Sequence, residues 1–214
     1  MKRIVTKLTL CGVLGLLPSV AMLADDLGPA MLKAISQNDL DAVTLQFAEG
    51  ASVNATNSAG WAALHYAAVR GYADIAGRLI EGGANVNAAT QRRKTALHLA
   101  SERGRDDVAK LLVKHGAALD AEDQDGWTPL HFTAVKDNVP LTIFLIDAGS
   151  AINAQSHGGG TPLHEAAASS GSEMIALLLK RGADPSLRAT NGKTALDYAI
   201  ELENAAAAAL LKSK

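Results

Sequence analysis

The chain has 214 residues, 48% apolar and 20% charged, with a formal net charge of −2 at pH 7 and one cysteine. That is the composition of one globular domain or one repeat array, not of a disordered chain. A charge this close to neutral excludes sequence-independent binding to nucleic acid, which rests on a basic surface, and a single cysteine excludes a disulfide framework.

The first segment is unlike the rest. Lys2, Arg3 and Lys7 precede an apolar run from Leu8 to Val20, which is interrupted by Thr9, Gly12, Gly15 and Pro18 and followed by small residues. A basic start, a short apolar stretch and small residues predict a secretory signal peptide over residues 1–24, with cleavage after Ala21 or Ala24. The run falls short of the roughly 20 residues a transmembrane helix needs, so the mature chain is expected to have no membrane span. Cys11 would leave with this segment. Its removal leaves 17 basic against 22 acidic residues, a formal charge of −5. The expected location is the periplasm, with an extracellular one as the alternative.

From there the chain repeats itself with a period of 33 residues: "AALHYAAVRG" at 62–71, "TALHLASERG" at 95–104, "TPLHFTAVKD" at 128–137 and "TPLHEAAASS" at 161–170. Leu64, Leu97, Leu130, Leu163 and Leu196 keep the spacing, as do Gly50, Gly83, Gly116, Gly149 and Gly182. Within one unit, Leu97, Leu99 and Ala100, then Val108, Leu111 and Leu112, fall at helical spacing on two segments separated by Gly104. Neither short helix can bury its apolar stripe alone, so neighbouring units must stack. Thr95, Thr128, Thr161 and Thr194 suit helix N-caps, and Pro129 and Pro162 suit first helical turns. The glycine ending each second helix suits a left-handed cap. Turn formers fill the stretches between units, such as "NATNSAGW" and "AEDQDGW".

These motifs, with the unit endings "GGANVNA", "HGAALDA", "AGSAINA" and "RGADPSL", resemble the ankyrin repeat. The resemblance implies an all-α solenoid of stacked helix-turn-helix units with projecting β-hairpin fingers over residues 25–214. The units would be an N-terminal cap at 27–57, repeats at 58–90, 91–123, 124–156 and 157–189, and a C-terminal cap at 190–214. Leu32 and Asp197 replace the repeated histidine at the two ends, and Glu201, Glu203 and the Lys212 to Lys214 tail suit the wettable outer face a terminal unit needs.

The histidines His65, His98, His131 and His164 are too evenly spaced to share a metal. Stacked helices put equivalent residues about 8–10 Å apart, whereas zinc ligands must each lie about 2 Å from one ion. In the family this histidine bonds backbone groups of the finger turns, so the four are expected to be structural, neutral, partly buried and a source of acid sensitivity. No G-x-S-x-G elbow or distinct Ser, His and acid set accompanies them. "HGGGT" at 157–161 reads as a mobile finger, and Asp120, Glu122, Asp123 and Asp125 as a solvated acidic finger lacking calcium-loop spacing. No catalytic activity, metal or cofactor is expected.

Function is sought where the copies differ. The residue after the finger glycine runs Trp61, Lys94, Trp127, Gly160 and Lys193. Aromatics with a polar handle are favoured interface anchors. Arg92, Arg93 and Lys94 make one finger basic, Glu102 and Arg103 lie at the nearby helix end, and the next finger, with Asp125, is acidic. Patches of opposite sign orient a charged partner. Val69, Arg70, Tyr72, Val135 and Lys136 complete the candidate concave surface. Arg93 and Asp137 replace customary glycines, which predicts altered loop backbone at both, and Pro140 suits the first turn of the following helix. The expected protein is a monomer that binds another protein, as inhibitor or immunity protein of an exported enzyme. The alternatives are an accessory factor, for instance in oxidative-stress defence, and an effector aimed at a host protein.

Overall fold

The computed structural model describes residues 27–169 and 171–212. The expected signal peptide lies outside the described residues. Among them twelve helices follow in chain order: α1 (Pro29–Ser36), α2 (Leu40–Ala48), α3 (Ala63–Arg70), α4 (Ala73–Glu81), α5 (Ala96–Arg103), α6 (Asp106–Lys114), α7 (Pro129–Val135), α8 (Val139–Asp147), α9 (Pro162–Ser169), α10 (Ser172–Lys180), α11 (Ala195–Glu201) and α12 (Ala205–Lys212). Odd-numbered helices stack on one another as an inner layer, and even-numbered helices do the same as an outer layer. Leu64, Leu79, Leu97, Leu112, Leu130, Leu145 and Leu163 are fully buried between the layers. Burying each is worth about 1.5–3 kcal/mol, and each needs atoms from the next unit to be buried at all.

Threonine precedes the inner helices α5, α7, α9 and α11, where α1 and α3 have Gly28 and Ala62. The Thr95 hydroxyl accepts from the His98 backbone N–H, and the backbone N–H of Thr95 donates to His98 Nδ1 at 3.1 Å. The same exchange holds Thr161 to His164, while Thr128 meets His131 Nδ1 through its N–H and its hydroxyl. At α3 Ala62 donates its N–H to His65 Nδ1 and has no hydroxyl to return. At the last helix pair Asp197 takes the histidine's place, and its carboxylate accepts from both the N–H and the hydroxyl of Thr194. Proline opens α7 and α9, and Pro140 sits in the first turn of α8.

The fingers differ from the hairpins that the resemblance implies. Among the described residues no strand forms, and antiparallel pairing is confined to the isolated bridges Thr56–Ala62 and Ala89–Thr95. Each finger is instead a tight turn closed by a backbone bond four residues wide, as from Thr90 N to Lys94 O and from Asp123 N to Trp127 O. Its arms then leave for helices before a ladder can grow. Successive fingers are tied by one backbone bond each: Gln91 N to Ala59 O, Gln124 N to Arg92 O, His157 N to Asp125 O and Thr190 N to Gly158 O. The "HGGGT" finger is therefore fastened on both sides. Gly159 is required there, because its φ is +73° and a Cβ would meet Thr190 N at 2.8 Å.

Arg93 and Asp137 also depart from expectation. Arg93 has φ 58°, in the same left-handed region as the glycines Gly60, Gly126, Gly159 and Gly192 of the other fingers. Asp137, at φ 53°, matches Gly71 and Gly104 between the helices. Both keep the glycine-like backbone: finger-to-finger bonds on either side hold the turn of Arg93, and Asp137 is held between α7 and α8, where its carboxylate accepts from Gly171 N.

A second ladder runs beside the histidines. Asn54 Oδ1 accepts from Asn85 N and its amide donates to Gly83 O; Asn87 does the same with Ala118 N and Gly116 O, and Asn153 with Asp184 N and Gly182 O. Asp120 occupies the third of the four rungs, accepts from Ala151 N, and cannot donate.

Candidate functional site

The fingers and the inner helices form one continuous face. Its depth is set by the residue after each finger's left-handed position and by the residue five further along, on the exposed side of the inner helix. Trp61 lies half-buried against Tyr66, with ring centroids 5.1 Å apart, and 6.0 Å from His65. Trp127 repeats the arrangement against Phe132 at 5.0 Å and His131 at 5.7 Å. Tilted ring pairs of this kind hold each indole in place while leaving part of its surface to solvent.

Lys94 does not reach the acidic finger. Its ammonium pairs with Glu102 of its own unit at 2.6 Å and lies 4.5 Å from the Phe132 ring centre. Lys193 likewise pairs with Glu201 and lies 5.8 Å from the Tyr198 ring centre. Arg92 and Arg93 remain exposed, as do Arg70, Arg103 and Lys136 at the ends of α3, α5 and α7. Val69 and Val135 are half-buried in those helices. Tyr72 is half-buried and packs on the apolar core. It therefore belongs as much to the stack as to the face.

The acidic finger is not simply solvated. Asp123 is 2% exposed, and its carboxylate accepts from the N–H groups of Asp125 and Trp127, so it builds the turn. Asp120 is engaged in the asparagine ladder. Glu122 and Asp125 remain exposed, with Glu122 4.0 Å from His157 Nε2. Among the described residues no group of three or more His, Cys, Asp or Glu side chains is placed to hold a metal ion.

The four histidines spend both ring nitrogens on backbone. Their Nε2 atoms lie 3.0 Å from Ala88 O for His65, 3.0 Å from Trp127 O for His98, 3.1 Å from Gly160 O for His131 and 3.3 Å from Lys193 O for His164. With Nδ1 accepting from the helix N-cap, Nε2 must carry the proton and donate to the finger. Burial lowers the pKa of all four, to about 4 for His131.

Tyr66, Phe132, Glu165 and Tyr198 were not singled out by sequence reasoning. They share one column at the 33-residue spacing, with Leu99 as its remaining member. Reading that column beside the tryptophan column would have found them.

The model for ankyrin repeats (3 copies) matches residues 31–123 and 116–189. The chain belongs to the ankyrin-repeat family. No curated protein matches it. Ankyrin-repeat proteins are typically non-catalytic scaffolds, and the fold generally acts as a protein–protein interaction module. In this ankyrin-repeat protein no described helix is long and apolar enough to cross a membrane.

Proposed function

We propose that this ankyrin-repeat protein is exported to the periplasm and binds a partner protein through its fingers and inner-helix face, as inhibitor or immunity protein of an exported enzyme. The single observation that carries the binding reading is the pair of half-buried indoles, Trp61 and Trp127, each held on an aromatic neighbour beside exposed arginines. Held aromatics lose little side-chain freedom on binding, which makes them effective anchors. Export is supported by the basic, apolar and small-residue pattern of the first 24 residues.

Cell fractionation with an antibody to the protein tests the location, and protein recovered in the cytoplasm would overturn it. Affinity capture of periplasmic partners, repeated with Trp61→Ala and Trp127→Ala after circular dichroism has shown both to be folded, tests the face. Each replacement should weaken capture about tenfold or more. Unchanged capture by both variants would remove the reading. The inhibitory role predicts stoichiometric loss of the captured enzyme's activity; full activity at saturating protein would sink that role and leave the binding module.

A further inference from the structure

One interruption in the face has the makings of a recognition pocket. At the finger position held by Trp61, Lys94, Trp127 and Lys193, the fifth unit has Gly160, and five residues on, where others carry Tyr66, Phe132 and Tyr198, it has Glu165. The missing side chain opens a notch between Trp127 on one side and Tyr198 on the other, with Glu165 within it and Asp125, Ser156 and His157 on its finger side. A Cβ at Gly160 would stand 2.9 Å from Glu165 Oε1, so the carboxylate leans into the space the glycine leaves. The Glu165 carboxylate has no hydrogen-bond or ion-pair partner among the described residues, and burial pushes its pKa up. A carboxylate in that condition is costly until a cation reaches it.

Elsewhere on this face a lysine, an aromatic ring and an acid meet twice. The Lys94 ammonium lies over the Phe132 ring and pairs with Glu102, and the Lys193 ammonium lies over the Tyr198 ring and pairs with Glu201. In the fifth unit Gly160 stands at the lysine's position and Ala168 at that of Glu102 and Glu201, and the acid, Glu165, stands instead in the column of Phe132 and Tyr198. Lys193 is engaged with Glu201 and so is not free to fill the place.

We propose that the notch between Trp127 and Tyr198 is a binding site for a basic side chain, lysine or arginine, of the partner protein, with Glu165 as its counter-ion. The alkyl stem lies between the two aromatic rings, which attract a cation over their faces, and the charged head meets Glu165. The site deepens the protein-binding reading and rests on it.

Titration of the 15N-labelled protein with acetylated, amidated tripeptides Gly-Lys-Gly, Gly-Arg-Gly and Gly-norleucine-Gly, followed by NMR, tests it. The lysine and arginine peptides should shift the Trp127 indole N–H saturably in the millimolar range, and the stronger of the two names the side chain. Norleucine should not. Glu165→Gln should weaken binding about tenfold. Gly160→Lys, which supplies the notch with a lysine from the chain itself, should abolish it while leaving the Trp61 signals in place. Equal shifts with norleucine, undiminished binding by Glu165→Gln or by Gly160→Lys, or no saturable shift with either basic peptide would overturn the proposal. A null titration beside capture that still depends on Trp61 removes the notch alone. Loss of that dependence as well removes the binding reading.

Discussion

Ala62 has the same extended backbone as Thr95 and Thr194, with φ −87° and ψ 166°, yet lacks the hydroxyl that caps their helices. A threonine there fits without backbone change and gives His65 the partner its relatives have. Ala62→Thr should raise stability by about 1 kcal/mol, read as a higher urea midpoint at unchanged slope. Arg93 shows the reverse case. A non-glycine residue in the left-handed region costs about 1–2 kcal/mol, while glycine loses about 0.4–1 kcal/mol through the freer unfolded chain. The first effect wins narrowly, so Arg93→Gly should stabilise by about 0.5 kcal/mol. A measured loss of stability would show that the arginine side chain stabilises the finger in a way its exposure conceals.

At the scale of the element, a finger is held by backbone bonds to its neighbours and by the asparagine ladder beneath. Asp120 breaks the ladder's symmetry, because a carboxylate accepts the Ala151 N–H but offers nothing to the Gly149 carbonyl. Asp120→Asn supplies the missing donor. At so exposed a site the gain belongs at the low end for a hydrogen bond, about 0.5 kcal/mol, and thermal melting should register it as a rise of a few degrees or less. Asp137 keeps the turn that glycine makes elsewhere, and its carboxylate accepts from Gly171 N, so one strained residue also ties two units together.

The whole molecule behaves as a stack in which His98, His131 and His164 each grip the next unit's finger and His65 holds Ala88 just before it. Burial keeps these histidines neutral, with folded-state pKa values below the ordinary 6.5. A lowered pKa means that the unfolded chain binds protons more readily. The full contribution is therefore present above about pH 6.5 and is lost as pH falls towards about 4, the His131 value. For His131 alone the shift corresponds to about 3 kcal/mol. Urea unfolding measured from pH 7.5 to 4 should show falling stability across that window, and His131→Gln should start lower but fall less steeply. A slope unchanged by that replacement would mean that protonation acts elsewhere. At the C-terminal end of the stack Glu201, Glu203 and Lys212 are exposed beside Leu202, which is 54% exposed, and in the N-terminal unit Leu45 is 55% exposed.

Period, capping threonines, apolar stripes and the family were legible in the sequence because each is a local choice repeated at fixed spacing: a helix stripe, a cap and a glycine turn are written in the residues that form them. Tertiary structure decided what depends on two units at once. The fingers are turns and not hairpins because their arms leave for the helices just outside the bond that closes each turn. Arg93 and Asp137 keep a glycine's backbone because the adjoining contacts allow no other, and Asp123 is a turn builder because its carboxylate folds back under Trp127. The notch beside Glu165 needs Trp127 from one unit, Gly160 from the next and Tyr198 from the one after. A repeat tells where equivalent side chains recur, but a recess made by a missing one exists only after its neighbours have been stacked on either side.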